Sequence, residues 1–243
     1  MTGLVTVGAR RSPCTVCGEQ PSGRYSVSLR GERTCVDHPV GVRCAFCGRP
    51  TPRTDPGWHW LGADLARCPT CGCDCVESRD DVKGCVPAIR SELAAFGLEL
   101  KARVQVALAA QAELSALAPD HHALGLTRMV STGPGDIRVT NILVLGGLPR
   151  LQFGRTVAHE AGHAWLAQTG NQPKTIALQE GFCELVAVMW LSHQSDPYAE
   201  ALRAAARENA DPVYGGGLRE AWERTTPVRR GSPQEWAWAL ASP

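Results

Sequence analysis

Two histidines four residues apart, His159 and His163, with Glu160 directly after the first, spell HExxH within "TVAHEAGHAWLAQTG" (Thr156–Gly170). On a helix, positions i and i+4 differ by about 40°, so both imidazoles project from one face. That geometry suits two nitrogen ligands on one zinc ion, with Glu160 placed to take a proton from a metal-bound water. Three specified residues are also met by a helix whose histidines serve only solvent or core, so a third ligand must be found. The histidine-rich extension of the motif is absent, since Leu166 and Thr169 stand where its glycine and last histidine would be. Glu180, inside "ALQEGFCELVAVMWL", follows His163 after 16 intervening residues. Two helices joined by the short "TGNQPK" turn would run antiparallel and bring Glu180 beside the histidines, and the small Gly181 permits close approach. Glu184, one turn further on the same face, can accept a hydrogen bond from a ligating histidine.

A second chemistry is written at the other end of the chain. Ten of the 11 cysteines precede residue 86. Cys14, Cys17, Cys35 and His38 read C-x2-C-x17-C-x2-H, and Cys44, Cys47, Cys68 and Cys71 read C-x2-C-x20-C-x2-C. Each set offers four ligands to one tetrahedral zinc ion. Glycine follows the second cysteine in CTVCG, CAFCG and CPTCG, which suits a tight turn with positive φ whose N–H groups point at sulfur. Cys73, Cys75 and Cys85 are left over, and Cys73 or Cys75 can replace Cys71 as last ligand. So short a region, with little continuous apolar sequence, depends on its metals to fold.

These sites need elements to hold them. "VPAIRSELAAFGL" has helical spacing, while "LELKARVQVAL", "GLTRMV" and "IRVTNILVLGG" read as strands. Helices are expected over about 151–169, 175–193 and 197–209, with a shorter one after "PVYGGG". Strands first and helices afterwards indicate an α+β domain. The expected organisation is a double zinc-binding domain over 1–80, a charged connecting stretch (ESRDDVKG), an α+β domain over 86–225, and an irregular tail over 226–243 whose two tryptophans pack back.

"HEAGHAWL…EGFCELVAVMWL…PVYGGGLR", preceded by "ILVLGGLPRL", resembles the peptidase domain of the plant growth-limiting LIM-domain metallopeptidases, the family called DA-one. The resemblance is close over roughly 125–224 and extends in layout to the zinc region. It implies LIM-like zinc-ribbon modules ahead of a gluzincin-like metallopeptidase domain, with His159, His163 and Glu180 as zinc ligands and Glu160 as catalytic base. The chain departs from the LIM pattern in placing Cys35 before His38 and in the five residues between its modules.

The expected function is therefore zinc-dependent hydrolysis of peptide bonds in a protein or peptide substrate, with one catalytic and two structural zinc ions. The zinc modules would serve structure or a protein partner. The other reading is an adaptor whose peptidase-like domain is silent and only binds a partner. A tetrahedral oxyanion needs a donor besides the metal. Tyr214 in "DPVYGGG" is the candidate, unless it is simply a tyrosine packed at a helix start, and His193 is a weaker one. The strand "IRVTNILVL" is a candidate for pairing with an extended substrate. A formal net charge of +1 argues against a protein built to neutralise many phosphates. No apolar run approaches the ~18 residues of a membrane helix, and "MTGLVTVGARRSPC" lacks a signal-peptide core. A cytoplasmic protein without nucleic-acid or membrane partners is expected.

Overall fold

The computed structural model describes residues 12–39, 41–51, 57–119, 123–133 and 136–241. Most of the N-terminal stretch read for a secretion signal lies outside the described residues. The chain divides into two compact units, Met1–Cys75 and Val76–Pro243.

The first unit is built of short hairpins. Strands β1 (Tyr25–Val27) and β2 (Arg33–Cys35) pair antiparallel, as do β3 (Val42–Arg43) with β4 (Pro50–Thr51) and β5 (His59–Trp60) with β6 (Ala66–Arg67); the four-residue helix α1 (Pro69–Gly72) follows. The glycines Gly18 and Gly48 adopt φ of 75° and 73°, each closing a turn whose N–H donates back to Cys14 or Cys44 carbonyl oxygen. The third Cys-x2-Cys-Gly differs. There Cys68 caps α1 and Gly72 is helical, lying against the Arg67 side chain.

In the second unit, after β7 (Cys75–Val76), helix α2 runs over Arg79–Ala95. The charged stretch expected to connect domains is thus its first turns. The cause is a capping box: Asp81 N–H donates to Ser78 Oγ at 3.1 Å, and Ser78 N–H donates to Asp81 Oδ2 at 2.8 Å. Strand β8 (Gln105–Ala109), helix α3 (Gln111–Leu117), and strands β9 (Gly125–Gly133) and β10 (Asp136–Leu145) follow. Only the second half of "LELKARVQVAL" is strand, and its first half has no pairing partner among the described residues.

The sheet order is β8-β10-β9, with β10 parallel to β8 and antiparallel to β9. This narrows the expectation that the β10 segment pairs with a substrate: its residues 141–144 are bonded on both sides, whereas among the described residues β9 is paired along one edge only. The two-residue β11 (Leu148–Pro149) leads into α4 (Arg150–Thr169), which packs on β9 and β10. Gly170, at φ 72°, terminates α4. Thr175 then caps α5 (Ile176–Ser192), its Oγ1 accepting from Leu178 N–H at 3.2 Å.

Helices α4 and α5 pack through missing side chains. A methyl on Gly154 would collide with Trp190, and one on Gly162 would meet Cys183 Sγ at 3.0 Å, which fixes an antiparallel register. Helix α6 (Pro197–Glu208) and helix α7 (Tyr214–Arg224) pack against α5. The backbones of α5 and α7 nearly touch, because a methyl on Gly181 would strike Gly217 carbonyl oxygen, and one on Gly217 would strike that of Ala177. The tail is not irregular: a 3-10 turn (Thr226–Val228) leads to α8 (Pro233–Ala241). Trp236 is buried there while Trp238 stays exposed, because alternate positions of a short helix face opposite ways.

Candidate metal centre

The four cysteines of the second N-terminal set, Cys44, Cys47, Cys68 and Cys71, are all buried, and their sulfurs lie within 4.8 Å of one another. Cys47 and Cys68 Sγ are 3.7 Å apart, close to the roughly 3.8 Å edge of a tetrahedron with 2.3 Å Zn–S bonds. The Arg30 guanidinium donates to Cys71 Sγ at 3.3 Å and pairs with Asp74 at 3.2 Å, offsetting the charge of four thiolates. Cys73 and Cys75 instead donate to the carbonyls of Pro69 and Gly72, so Cys71 completes this cluster.

Cys14, Cys17, Cys35 and His38 form the other cluster. Burial raises the Cys14 thiol, but N–H groups of Cys17, Cys35 and Val16 outweigh it and lower the pKa to about 6, so the thiolate dominates at neutrality. His38 Nε2 is buried without a hydrogen-bond partner, as a nitrogen reserved for a metal would be. Both clusters fit zinc-binding modules of LIM type. Cys85, the remaining cysteine of that half, sits on α2 beside Arg150 Nη1 at 2.6 Å and joins neither.

On α4 and α5, three donors converge. His159 Nε2 lies 3.1 Å and His163 Nε2 3.4 Å from the same oxygen, Glu180 Oε2. Ligands held at 2.0–2.2 Å around a tetrahedral ion stand roughly 3.4 Å apart, so the trio fits zinc. Burial pushes the Glu180 carboxyl up, but hydrogen bonds from both histidines hold it well below the usual carboxylate range. On the other side of the His159 ring, Nδ1 lies 3.1 Å from Glu184 Oε1. That contact assigns the proton to Nδ1 and frees Nε2 as an acceptor. Glu184 is held in turn by Arg155 Nη2 at 2.6 Å. Burial raises its pKa, and the Arg155 charge, followed by the His159 hydrogen bond, brings it down to about 2. Without a metal, burial disfavours the His159 cation, but Glu180 and Glu184 prevail and raise its pKa to about 10.

Glu160 is buried against the sheet. The Thr127 hydroxyl on β9 lies 2.7 Å from Glu160 Oε2 and 2.9 Å from its carbonyl oxygen. Gly125 makes that approach possible, since a methyl there would come 2.6 Å from Thr156 and 2.9 Å from Glu160 Oε1. A cleft of about 230 Å³ is lined by His159, Glu160, His163, Glu180 and Tyr214, with β9 as its other wall. The Tyr214 ring centre is 6.3 Å from that of His159. Burial, then the charges of Glu180, Glu160 and Glu184, raise its phenol to about 12 and keep it protonated. His193 is not brought to this cleft: it stacks on Phe96 and its Nδ1 meets the Met189 carbonyl at 2.9 Å. Cys183 Sγ lies within 4.8 Å of a nitrogen of each histidine, but burial and nearby carboxylates push its pKa far up, keeping it a thiol.

The family model for DA1-like proteins, described as Protein DA1, matches residues 113–210. That segment is DA1-like in sequence. Protein DA1 of Arabidopsis thaliana is 35% identical over 86 residues, which are 35% of this chain and 16% of that protein. DA1-related 2 of the same plant is 29% identical over 135 residues, 42% of this chain and 26% of the relative. The LIM domain-containing protein HDR3 of Oryza sativa subsp. japonica is 42% identical over 59 residues, 24% of this chain and 12% of the relative. The chain thus spans only about a tenth to a quarter of the length of these relatives. No solved structure matches. The DA1-like segment carries His159, Glu160, His163, Glu180 and Glu184, while Tyr214 falls just beyond its end.

Sequence reasoning missed three residues of this DA1-like site. Arg155 stands one turn before His159, where a basic residue inside an apolar helical run was a usable signal. Thr127 and Gly125 belong to a strand that alternation locates, but nothing local tells which face meets Glu160.

Proposed function

We propose that the chain is a zinc-dependent metallopeptidase acting on protein or peptide substrates, with a LIM-like unit that serves structure or protein interaction. The observation that carries this reading is the approach of His159 Nε2 and His163 Nε2 to the same oxygen, Glu180 Oε2, at 3.1 and 3.4 Å, beside the buried carboxylate of Glu160. Zinc held there supplies Lewis acidity and a water of lowered pKa, because three protein ligands leave one position open. Glu160 takes the proton of the attacking water and returns it to the leaving amine. Thr127 fixes the Glu160 carboxylate through its 2.7 Å hydrogen bond. Tyr214, kept protonated, donates to the developing oxyanion. Glu184 and Arg155 hold the His159 ring in the tautomer that leaves Nε2 free. The open edge of β9 pairs with an extended substrate through main-chain hydrogen bonds, and Leu126 and Met129 give the cleft apolar contacts.

The test is Glu160→Gln, which keeps size and reach but removes the base. It should retain three zinc ions per chain and an unchanged melting temperature, with peptide hydrolysis falling about 10²-fold or more. His163→Ala should lose one zinc together with activity. Wild-type rates in Glu160→Gln would end the mechanism, and only two zinc ions in the wild-type chain would favour the silent adaptor.

A further inference from the structure

Behind α4, on the side away from the histidines, lies a separate cavity of about 340 Å³, within the size range of small-ligand sites. Its walls come from α2, the 98–104 segment, the sheet and α4. Leu93, Leu98, Val106, Ile142 and Val157 supply buried apolar surface. Val157 precedes His159 by two residues, a turn of roughly 200°, so this face of α4 points away from the candidate metal centre.

The polar groups at this cavity are unbalanced. Arg90 and Arg103 both line it, and neither is within ion-pair distance of a carboxylate among the described residues. Arg90 spends one amino group on the Val104 carbonyl oxygen and is half-buried. Burial and the neighbouring Arg103 charge both pull its pKa down, the signature of a guanidinium that lacks a counter-ion. Glu99 also lines the cavity, leaving a net positive charge there. Two cations beside an apolar chamber complement a molecule with one anionic head and an apolar tail. A guanidinium pair suits a carboxylate because each presents N–H donors in a planar fork.

We propose that this cavity is a binding site for an aliphatic carboxylate, its head between Arg90 and Arg103 and its chain against Leu93, Leu98, Val106 and Ile142. The volume suits a chain of about ten carbons. The site is independent of the peptidase reading, since it uses no residue of the metal cleft.

Titration of the full zinc-loaded chain with hexanoate, octanoate and decanoate, followed by calorimetry, tests it. Affinity should rise about fourfold per added methylene while the chamber fills. Decanol, which lacks the head group, should bind at least about tenfold more weakly than decanoate. Arg103→Glu, at an exposed position, should weaken decanoate by about tenfold or more without moving the melting temperature of the free protein. Ala94→Trp, also exposed and at the cavity wall, should abolish binding by filling the chamber. Methyl resonances of Val106 and Ile142 should shift on titration. The proposal is overturned if decanoate shows no saturable binding below millimolar concentration, if decanol binds equally well, or if neither substitution changes affinity.

Discussion

Replacing Arg155 by Met removes the guanidinium that faces Glu184 at 2.6 Å while keeping the length of an apolar stem. The Glu184 side chain is only 9% exposed, so water replaces little of what is lost. Its carboxyl is drawn from 4.5 to about 2, with the Arg155 charge the largest lowering influence and His159 the next. That depression corresponds to roughly 3 kcal/mol at 1.36 kcal/mol per tenfold change, and removing its largest lowering cause, Arg155, should cost a loss of that order. For a unit of this size, each 1 kcal/mol lowers the melting temperature by roughly 2–4 °C. The sign with pH follows from a folded pKa below the unfolded one. The contribution is complete above about 4.5 and is lost as pH falls towards 2. The stability gap between wild type and Arg155→Met should therefore be widest near neutrality and close across that acidic window. A freer His159 ring should also weaken zinc binding about 10–100-fold, read by chelator competition. In Arg155→Met/Glu184→Gln the buried charge is gone as well, so part of the stability should return. Wild-type zinc affinity in Arg155→Met, or a gap that does not vary with pH, would refute the chain of support from Arg155 through Glu184 to His159.

Thr127→Val should leave zinc content unchanged while lowering kcat about tenfold at nearly constant KM, because it loosens the base rather than substrate contacts. Cys47→Ser should remove one zinc ion per chain, measured by elemental analysis, and lower the melting temperature of the first unit. Gly217→Ala forces a methyl against the Ala177 carbonyl. It should cost about 1–3 kcal/mol in denaturant unfolding and reduce activity through displacement of Tyr214.

The sequence was most legible where chemistry and period coincide. HExxH demands a helix, and the spacing to Glu180 demands a return helix, so the α4–α5 pair follows from the sequence alone. The Cys-x2-Cys repeats were legible for the same reason, since ligand spacing reports local turns. Long-range choices were not. Alternation marked β9 and β10 as strands, yet the central place of β10 depends on parallel pairing with β8, a contact that no local pattern encodes. The start of α2 differs from the expectation because the Ser78–Asp81 box turns the charged run into a first helical turn. The terminal helix α8 was hidden by Pro and Gly before it, although Pro233 is at home in a first helical turn.

The bare-backbone seam between Gly181 and Gly217 has a mechanical consequence. A contact with no side chains has no rotamers with which to absorb displacement. Glu180 beside one glycine and Tyr214 three residues before the other therefore travel together or not at all. The opposite wall of the cleft is built otherwise: among the described residues β9 is paired along one edge only, and the Thr127 hydroxyl ties it to Glu160 of α4. The cleft resembles a vice with one fixed jaw and one sprung jaw, and its opening falls to the strand. Hydrogen exchange would register this as β9 amides that open well before those of α5 and α7; equal protection would deny it. If the chain is the peptidase proposed above, a substrate would enter by displacing the strand, while Glu180 and Tyr214 would keep their spacing.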